Sequence, residues 1–212
     1  HQFFIDKLKQ YPKCFKTIHI TQPDMQGPFD IAHLLIGSNI FYEVYDNPDI
    51  LHELLELITQ TYIGFRKFID PYLTDKTDKA EDDNCMYVHW AIYGGKVIIK
   101  DDTATVNMSE SMYNEFSKQY NQIILSEFGG GSLHHCGPMR EWHKRGIIYD
   151  NLKSLNFGNP EMHDLKKEYP LFKDKKISVV GWGNNQPPEF IEDFLKLGIK
   201  TGVTLAVNAQ QN

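Results

Sequence analysis

Hydrophobic and polar positions follow two alternating patterns along the chain. Short apolar runs end in Gly, Asn, Asp or His, and stretches with helical spacing follow them. This is the strand–helix rhythm of a parallel α/β sheet. Counting residues 85–99 as one region, we expect six parallel strands with helices outside them, in barrel-like order. The predicted strands are residues 15–20, 85–93 with 96–99, 132–136, 152–157, 176–180 and 201–207.

The clearest predicted helix begins at Asn47, with Pro48 at its first position, and ends before Asp70-Pro71. Asn is a favoured N-cap residue, Pro is favoured at the first helical position, and the residue before a proline avoids the helical conformation. Residues 75–83 are polar without periodicity and predict a surface loop. The other predicted helices are residues 3–11, 30–35, one from Ser109 or Ser111, 139–144, 161–168 and one from Pro187.

Composition indicates an ordinary globular chain. It has 212 residues, 41% of them hydrophobic, a net charge of −6 and three cysteines. We expect one domain, residues 1–212. The acidic balance argues against nucleic acid or an anionic membrane as a partner, and no apolar run approaches the ~18 residues of a membrane span. The odd, widely spaced cysteines predict no disulfide framework, so we expect a cytoplasmic protein.

Residues 129–138 read GGGSLHHCGP and form the stretch with the strongest chemical signal. If residues 132–136 form a strand, His134 and Cys136 lie on one face and His135 on the other. An imidazole and a thiol side by side form half of a zinc site or of a nucleophilic site. The alternative is a core strand with a buried Cys and hydrogen-bonded His. We expect His135 to be structural.

Polar residues cluster where the predicted strands end, and sites on parallel sheets lie at the carboxyl ends of strands. Asp101 and Asp102 would face opposite ways, so one is expected at the site; alternatively, one caps the following loop. Gln22 could touch a ligand or belong to a turn, and Trp182 could wall the pocket or only pack. We predict that one cavity brings together Gln22, His89, Asp102, His134, Cys136, Asn156, Trp182 and Asn208.

Several motifs, in this order, resemble the uroporphyrinogen decarboxylase superfamily: residues 26–29 (QGPF), 47–49 (NPD), 101–102 (DD) and 134–137 (HHCG). The last of these resembles the methyltransferase branch. That resemblance implies a (β/α)₈ barrel that uses zinc to transfer a methyl group between a corrinoid and a thiol. It implies His134 and Cys136 as metal ligands. From the residues at the strand ends, we predict Asp102 and Cys136 as the catalytic residues. The zinc would lower the pKa of the bound thiol.

Two departures from the family pattern leave alternatives open. Only about six βα units are visible, so the barrel looks incomplete and without its first two units. The late zinc-binding Cys is also absent, since residues 201–212 contain no Cys. The candidates for a third ligand are Asp102, Glu127 and His89. Missing residues or a second copy of the chain, as in a homo-oligomer, would cover the gap.

Three functions therefore compete. The first is zinc-dependent methyl transfer, with a small-molecule thiol and a corrinoid protein as partners. The second is a uroporphyrinogen decarboxylase-like lyase that binds a tetrapyrrole, which needs a cationic pocket. The chain has only three arginines for that pocket, Arg66, Arg140 and Arg145, which counts against it. The third is a non-catalytic small-molecule-binding barrel.

Overall fold

The computed structural model describes residues 2–18, 20–73, 85–88, 91–140, 149–182, 192 and 194–205. In these ranges the chain is an α/β protein. The helices are α1 (Gln2–Lys9), α2 (Pro12–Phe15), α3 (Pro28–Ile36), α4 (Ile40–Asp46), α5 (Pro48–Ile69), α6 (Asp102–Asn107), α7 (Glu110–Tyr113), α8 (Gln119–Glu127) and α9 (Leu165–Asp174). The strands are β1 (Cys85–Val88), β2 (Ala91–Gly94), β3 (Ile98–Lys100), β4 (Gly131–His135), β5 (Leu152–Phe157), β6 (Ser178–Trp182) and β7 (Val203–Leu205).

Five strands form a parallel sheet in the order β3-β4-β5-β6-β7. One row of paired residues across four strands is fully buried and belongs to the apolar core; it comprises Ile99, Leu133, Leu155 and Val179. Side chains alternate along a strand. The opposite face of β4 and β5 therefore carries the neighbours of this row, first serines and then His134 and Asn156.

The serines on that face receive the β1–β2 hairpin. Ser132 Oγ donates to the carbonyl of Gly94 over 2.7 Å, and the amide of Gly94 donates to Ser154 Oγ over 3.0 Å. Small hydroxyl side chains let a backbone approach closely. The hairpin therefore lies at the amino ends of β4 and β5, and His134 lies towards the carboxyl end of β4.

Helix α5 has the position predicted for it and holds β3 in place. Its buried stripe follows helical spacing through Leu51, Leu55, Ile58 and Tyr62. Tyr62 Oη donates to the carbonyl of Ile98 over 2.9 Å, at the start of β3. Asn47 is the N-cap residue, but its side chain makes no capping bond and donates to Glu43 Oε2 over 2.7 Å.

The predicted strand over residues 15–20 is wrong. Pro12 opens the short helix α2, which ends at Phe15, and Ile18 is exposed. Instead, Gln26 forms a parallel bridge with Lys100, and the carbonyl of Met25 accepts from the amide of Lys100. The described part of the chain thus has five parallel strands and one bridge where six strands were expected.

Some of the other predicted element boundaries agree with the structure, and others differ from it. The strand at Leu152–Phe157 was predicted at these residues, while the helix predicted at 161–168 is a 3₁₀ turn (Pro160–Met162) followed by α9. The expected loop at 75–83, most of the helix at 139–144, the start of the helix from Pro187 and the end of the strand at 201–207 lie outside the described residues. Among the described helices, none has the length and apolarity needed to cross a membrane.

Candidate metal centre

Three side chains converge where β3 and β4 end: Asp102, His134 and Cys136. One potential ligand atom from each lies within 4.8 Å of the others. His134 Nε2 is 3.5 Å from Cys136 Sγ and 3.8 Å from Asp102 Oδ1. The site is open on one side, since Cys136 is exposed and the Asp102 side chain is 34% exposed.

Local backbone geometry brings these residues together. His134 lies on the site face of β4, and Cys136 follows directly after the strand ends at His135. Gly137 then turns the chain at φ +82°, a conformation that favours glycine. Asp102 starts α6 just after β3, and its Oδ1 accepts from the amide of Cys136 over 2.6 Å. Asp102 is therefore fixed to the segment that carries Cys136.

Asn156 determines which nitrogen of His134 carries the proton. Asn156 Nδ2 donates to the carbonyl of Val180 over 2.6 Å, so its Oδ1 points at His134 Nδ1 as an acceptor. His134 Nδ1 must then be the protonated nitrogen. The lone pair of Nε2 is left facing Cys136 and Asp102, as a metal-binding histidine requires.

The site disfavours charge on both His134 and Cys136. Burial lowers the pKa of His134, against the opposing effects of the Asn156 hydrogen bond and Asp102. Partial burial of the sulfur, followed by the negative charge of Asp102, raises the pKa of the Cys136 thiol. Both shifts favour the neutral forms, the imidazole of His134 and the thiol of Cys136. A cation among the three groups would reverse the second effect.

The residues present fit a zinc ion. Nitrogen, sulfur and carboxylate oxygen are all zinc ligands, and three protein ligands leave a fourth position open in catalytic sites. Tetrahedral ligands at ~2.05 Å (nitrogen) and ~2.3 Å (sulfur) lie ~3.6 Å apart, and nitrogen and oxygen ligands lie ~3.4 Å apart. The corresponding distances here are 3.5 Å and 3.8 Å.

Asp101 faces away from this site into a buried polar network. Its carboxylate accepts from Tyr113 Oη over 2.7 Å, Ser117 Oγ over 3.0 Å and Asn121 Nδ2 over 3.0 Å. Burial and the neighbouring Asp30 raise the pKa of Asp101 to about 7. Burial likewise raises the pKa of Asp30 to about 6, although Asp30 accepts from the amide of Thr103. Only Asp102 of this pair lies at the site, as expected, although Asp101 and Asp102 begin α6 and do not continue the strand.

The structure brings together Asp102, His134, Cys136 and Asn156 from the predicted cavity, and it separates other members. Trp182 contacts Phe157, with ring centroids 5.5 Å apart, on the face of the sheet that also carries His135. That is the face opposite His134, so Trp182 does not line this site. His135 is buried there among aromatic rings, as predicted.

Gln22 also lies apart from the candidate metal centre. Its Nε2 donates to the carbonyl of Ile98 over 3.2 Å, near the start of β3. Glu127, one candidate third ligand, ends α8 and pairs with Lys67, so it takes no part in the cluster. His89 and Asn208 lie outside the described residues.

Sequence patterns gave no indication of two arrangements. Asn156 was predicted to line the cavity. Its contacts orient His134, and the register that pairs the two residues is not visible in either strand alone. His163 Nδ1 lies 3.3 Å from Glu168 Oε2 beneath α9, in almost complete burial. His163 and Trp182 line a cavity of about 300 Å³ on the helix side of the sheet.

No family model matches the chain, and no curated protein matches its sequence. Among solved structures, a methyltransferase from Methanosarcina mazei has a similar fold, with a TM-score of 0.59 and 18% sequence identity. The similarity covers 88% of this chain and 52% of that one, so the chain spans about half the length of that methyltransferase. At this identity the likeness establishes the fold alone.

Proposed function

We propose that this chain is part of a zinc-dependent methyltransferase that moves a methyl group from a methylated corrinoid to a thiol. The observation that carries the proposal is the meeting of Asp102, His134 and Cys136 at the carboxyl ends of two parallel strands. The likeness to a methyltransferase of the same fold supports it. So does the resemblance of the sequence to the uroporphyrinogen decarboxylase superfamily, whose fold is a (β/α)₈ barrel.

Asp102, His134 and Cys136 would hold the ion, with Asp102 in the place of the family's later cysteine. When bound, the zinc would lower the pKa of an acceptor thiol and keep it as a thiolate, the nucleophile of the reaction. The neutral His134 offers its lone pair without first losing a proton. The exposed side of the site gives the acceptor and the methyl donor a way in.

The chemistry of the proposed reaction balances without a redox partner. A bond forms between the acceptor sulfur and the methyl carbon while the carbon–cobalt bond breaks. The electron pair of the broken bond stays on the cobalt. The acceptor's thiol proton leaves to solvent.

The described residues favour this function over decarboxylation of a polycarboxylate. Two of the three arginines are described, and both donate to backbone carbonyls. Arg66 donates to Lys96 over 2.9 Å and pairs with Asp70, and Arg140 donates to Val106 over 2.6 Å and 3.1 Å. Arg66 is moreover buried in the helix layer. In this part of the chain, neither arginine is placed to form a cationic pocket.

The decisive experiment combines zinc analysis with a methyl-transfer assay. Wild-type protein, stripped with chelator and reloaded, should bind roughly one zinc per chain. It should also methylate a small thiol with methylcobalamin as donor. Cys136→Ser should lose most of the metal and the activity, because it replaces the thiolate ligand. Cys14→Ser, in the exposed helix α2, and Cys85→Ser are the matched controls and should keep both.

Two results would contradict this function. One is wild-type protein that takes up no zinc at micromolar excess. The other is full methyl-transfer activity in Cys136→Ser. Either would leave the decarboxylase-like and binding-only alternatives ahead.

A further inference from the structure

Gly158 lies directly behind the thiol of Cys136. A Cβ on Gly158 would lie 2.4 Å from Cys136 Sγ, and 3.3 Å from both Cys136 Cα and His134 Cε1. Real Cβ atoms essentially never approach another atom so closely. The sulfur therefore occupies the volume that a side chain at position 158 would fill.

The backbone of Gly158 does not itself require glycine. Its φ lies outside the positive region, unlike that of Gly137, so alanine could adopt the same conformation. Its amide donates to the carbonyl of His135 over 2.9 Å, which alanine would also do. The steric conflict with Cys136 is thus the specific consequence of adding a side chain.

Strand β5 and the residue that follows it position two of the candidate ligands, His134 and Cys136, but supply no ligand themselves. Asn156, on its site face, fixes the tautomer of His134. Gly158 follows two residues later and leaves room for the sulfur beside His134 Nε2, at 3.5 Å. One strand end thus orients the nitrogen ligand and makes space for the sulfur ligand.

We infer that Gly158 is a positioning residue for the metal centre, because its missing side chain lets the Cys136 sulfur sit against His134 Nε2. The role of Gly158 in metal binding rests on the proposed function, whereas its effect on the position of the Cys136 sulfur does not. With Ala at this position, the sulfur must rotate away from His134, and the nitrogen and sulfur ligands can no longer share one ion.

The first test is a double-mutant cycle on metal-free protein. Gly158→Ala should lower the melting temperature clearly in the wild-type background. In the Cys136→Ala background, where no sulfur is present, the same change should cost much less, because residues in contact give non-additive effects. Equal losses with and without the sulfur would overturn the inference.

The second test measures metal binding with Co²⁺ in place of zinc. Gly158→Ala should weaken Co²⁺ binding by about 10–100-fold, the usual effect of disturbing the groups that orient metal ligands. It should also reduce the thiolate-to-cobalt absorption in the near ultraviolet. Gly64→Ala is the matched control, because a Cβ there meets nothing within 4 Å.

The two tests separate the two proposals. Wild-type protein without Co²⁺ or zinc uptake would contradict the proposed function, while the thermal cycle would still decide whether Gly158 seats the sulfur. Normal Co²⁺ affinity and absorption in Gly158→Ala would overturn the positioning role even if the wild type binds metal.

Discussion

At the scale of single residues, His134 depends on the side chain of Asn156 for its protonation pattern. Asn156 Oδ1 can only accept a hydrogen bond, so the imidazole proton stays on Nδ1 and Nε2 stays free. Asn156→Leu removes the acceptor at similar volume. We expect it to weaken zinc binding by about 10–100-fold, measured by competition with a chelating dye.

The matched variant is Asn156→Asp, which keeps an acceptor oxygen facing Nδ1. It should retain most of the zinc affinity, although it loses the donor to Val180. If both variants lost affinity equally, the bond to Val180 rather than the tautomer would be the important contact. If neither did, Asn156 would have no role in positioning His134.

The buried carboxyls of Asp30 and Asp101 predict an unusual pH dependence of stability. Their pKa values are raised by burial to about 6 and about 7, whereas the ordinary value is 3.8. At pH values between the ordinary pKa and the raised pKa values, the unfolded chain has lost protons that the folded chain keeps. Raising the pH in this range therefore favours unfolding. The two carboxyls therefore contribute their full share to the free energy of unfolding below about pH 4. That share is lost as the pH rises through their pKa values in the folded protein.

Asp30→Asn should make this loss smaller, because it removes one carboxyl and relieves the charge that raises the pKa of Asp101. Urea unfolding between pH 4.5 and 8 measures the free energy of unfolding. We expect the decline to differ between wild type and variant by on the order of 3 kcal/mol. Asp46→Asn, at an exposed position, is the control. Parallel pH profiles for wild type and Asp30→Asn would contradict the prediction.

At the scale of elements, the first residue of β4, Gly131, lies in a space that has no room for a side chain. A Cβ on Gly131 would lie 2.6 Å from the carbonyl oxygen of Val97 and 2.8 Å from Leu125 Cδ2 in α8. Gly131→Ala should therefore separate β4 from its neighbours and lower the free energy of unfolding by about 1–3 kcal/mol, the usual cost of overpacking.

Denaturant unfolding of Gly131→Ala, beside the exposed-helix variant Gly64→Ala, measures this cost. Alanine in the interior of a helix is more favourable than glycine by ~1 kcal/mol, so Gly64→Ala should be neutral or stabilising. A Gly131→Ala protein as stable as wild type would show that β4 has more room than its contacts indicate.

Elements were predictable where one local pattern settles the outcome. Helix α5 combines a start signal, a stop signal and a long apolar stripe, and β5 was predicted at its observed residues. The alternation at residues 15–20 failed, because alternation says nothing about whether a sheet edge lies nearby to pair with. The segment that does meet β3, at Gln26, has no strand pattern of its own.

At the scale of the whole molecule, the sequence predicted part of the set of side chains that meet at the candidate site. The spacing of His134 and Cys136 is local, so it indicated that these two side chains lie side by side, and Asp102 follows a strand end. Trp182 also lies at a strand end, yet it faces the helices, because the pairing register shifts between Val180 and Trp182. Sequence alone does not reveal such a shift.

The likeness to the Methanosarcina mazei methyltransferase extends over most of this chain and about half of that one. The five-stranded sheet is parallel throughout, and the candidate metal centre lies where two of its strands end. The centre at that edge is built from neighbouring strands and the segments that follow them. Its geometry therefore depends on the register of the sheet as well as on the ligands.

The hydrogen bond from Asn156 to Val180 has a consequence for how the centre can vary in evolution. The acceptor is a backbone carbonyl, which every residue type supplies. Substitutions at position 180 can therefore change the side chain without changing the partner that orients Asn156. Substitutions at position 156 can change which nitrogen of His134 carries the proton. Substitutions at position 180 keep the carbonyl that orients Asn156.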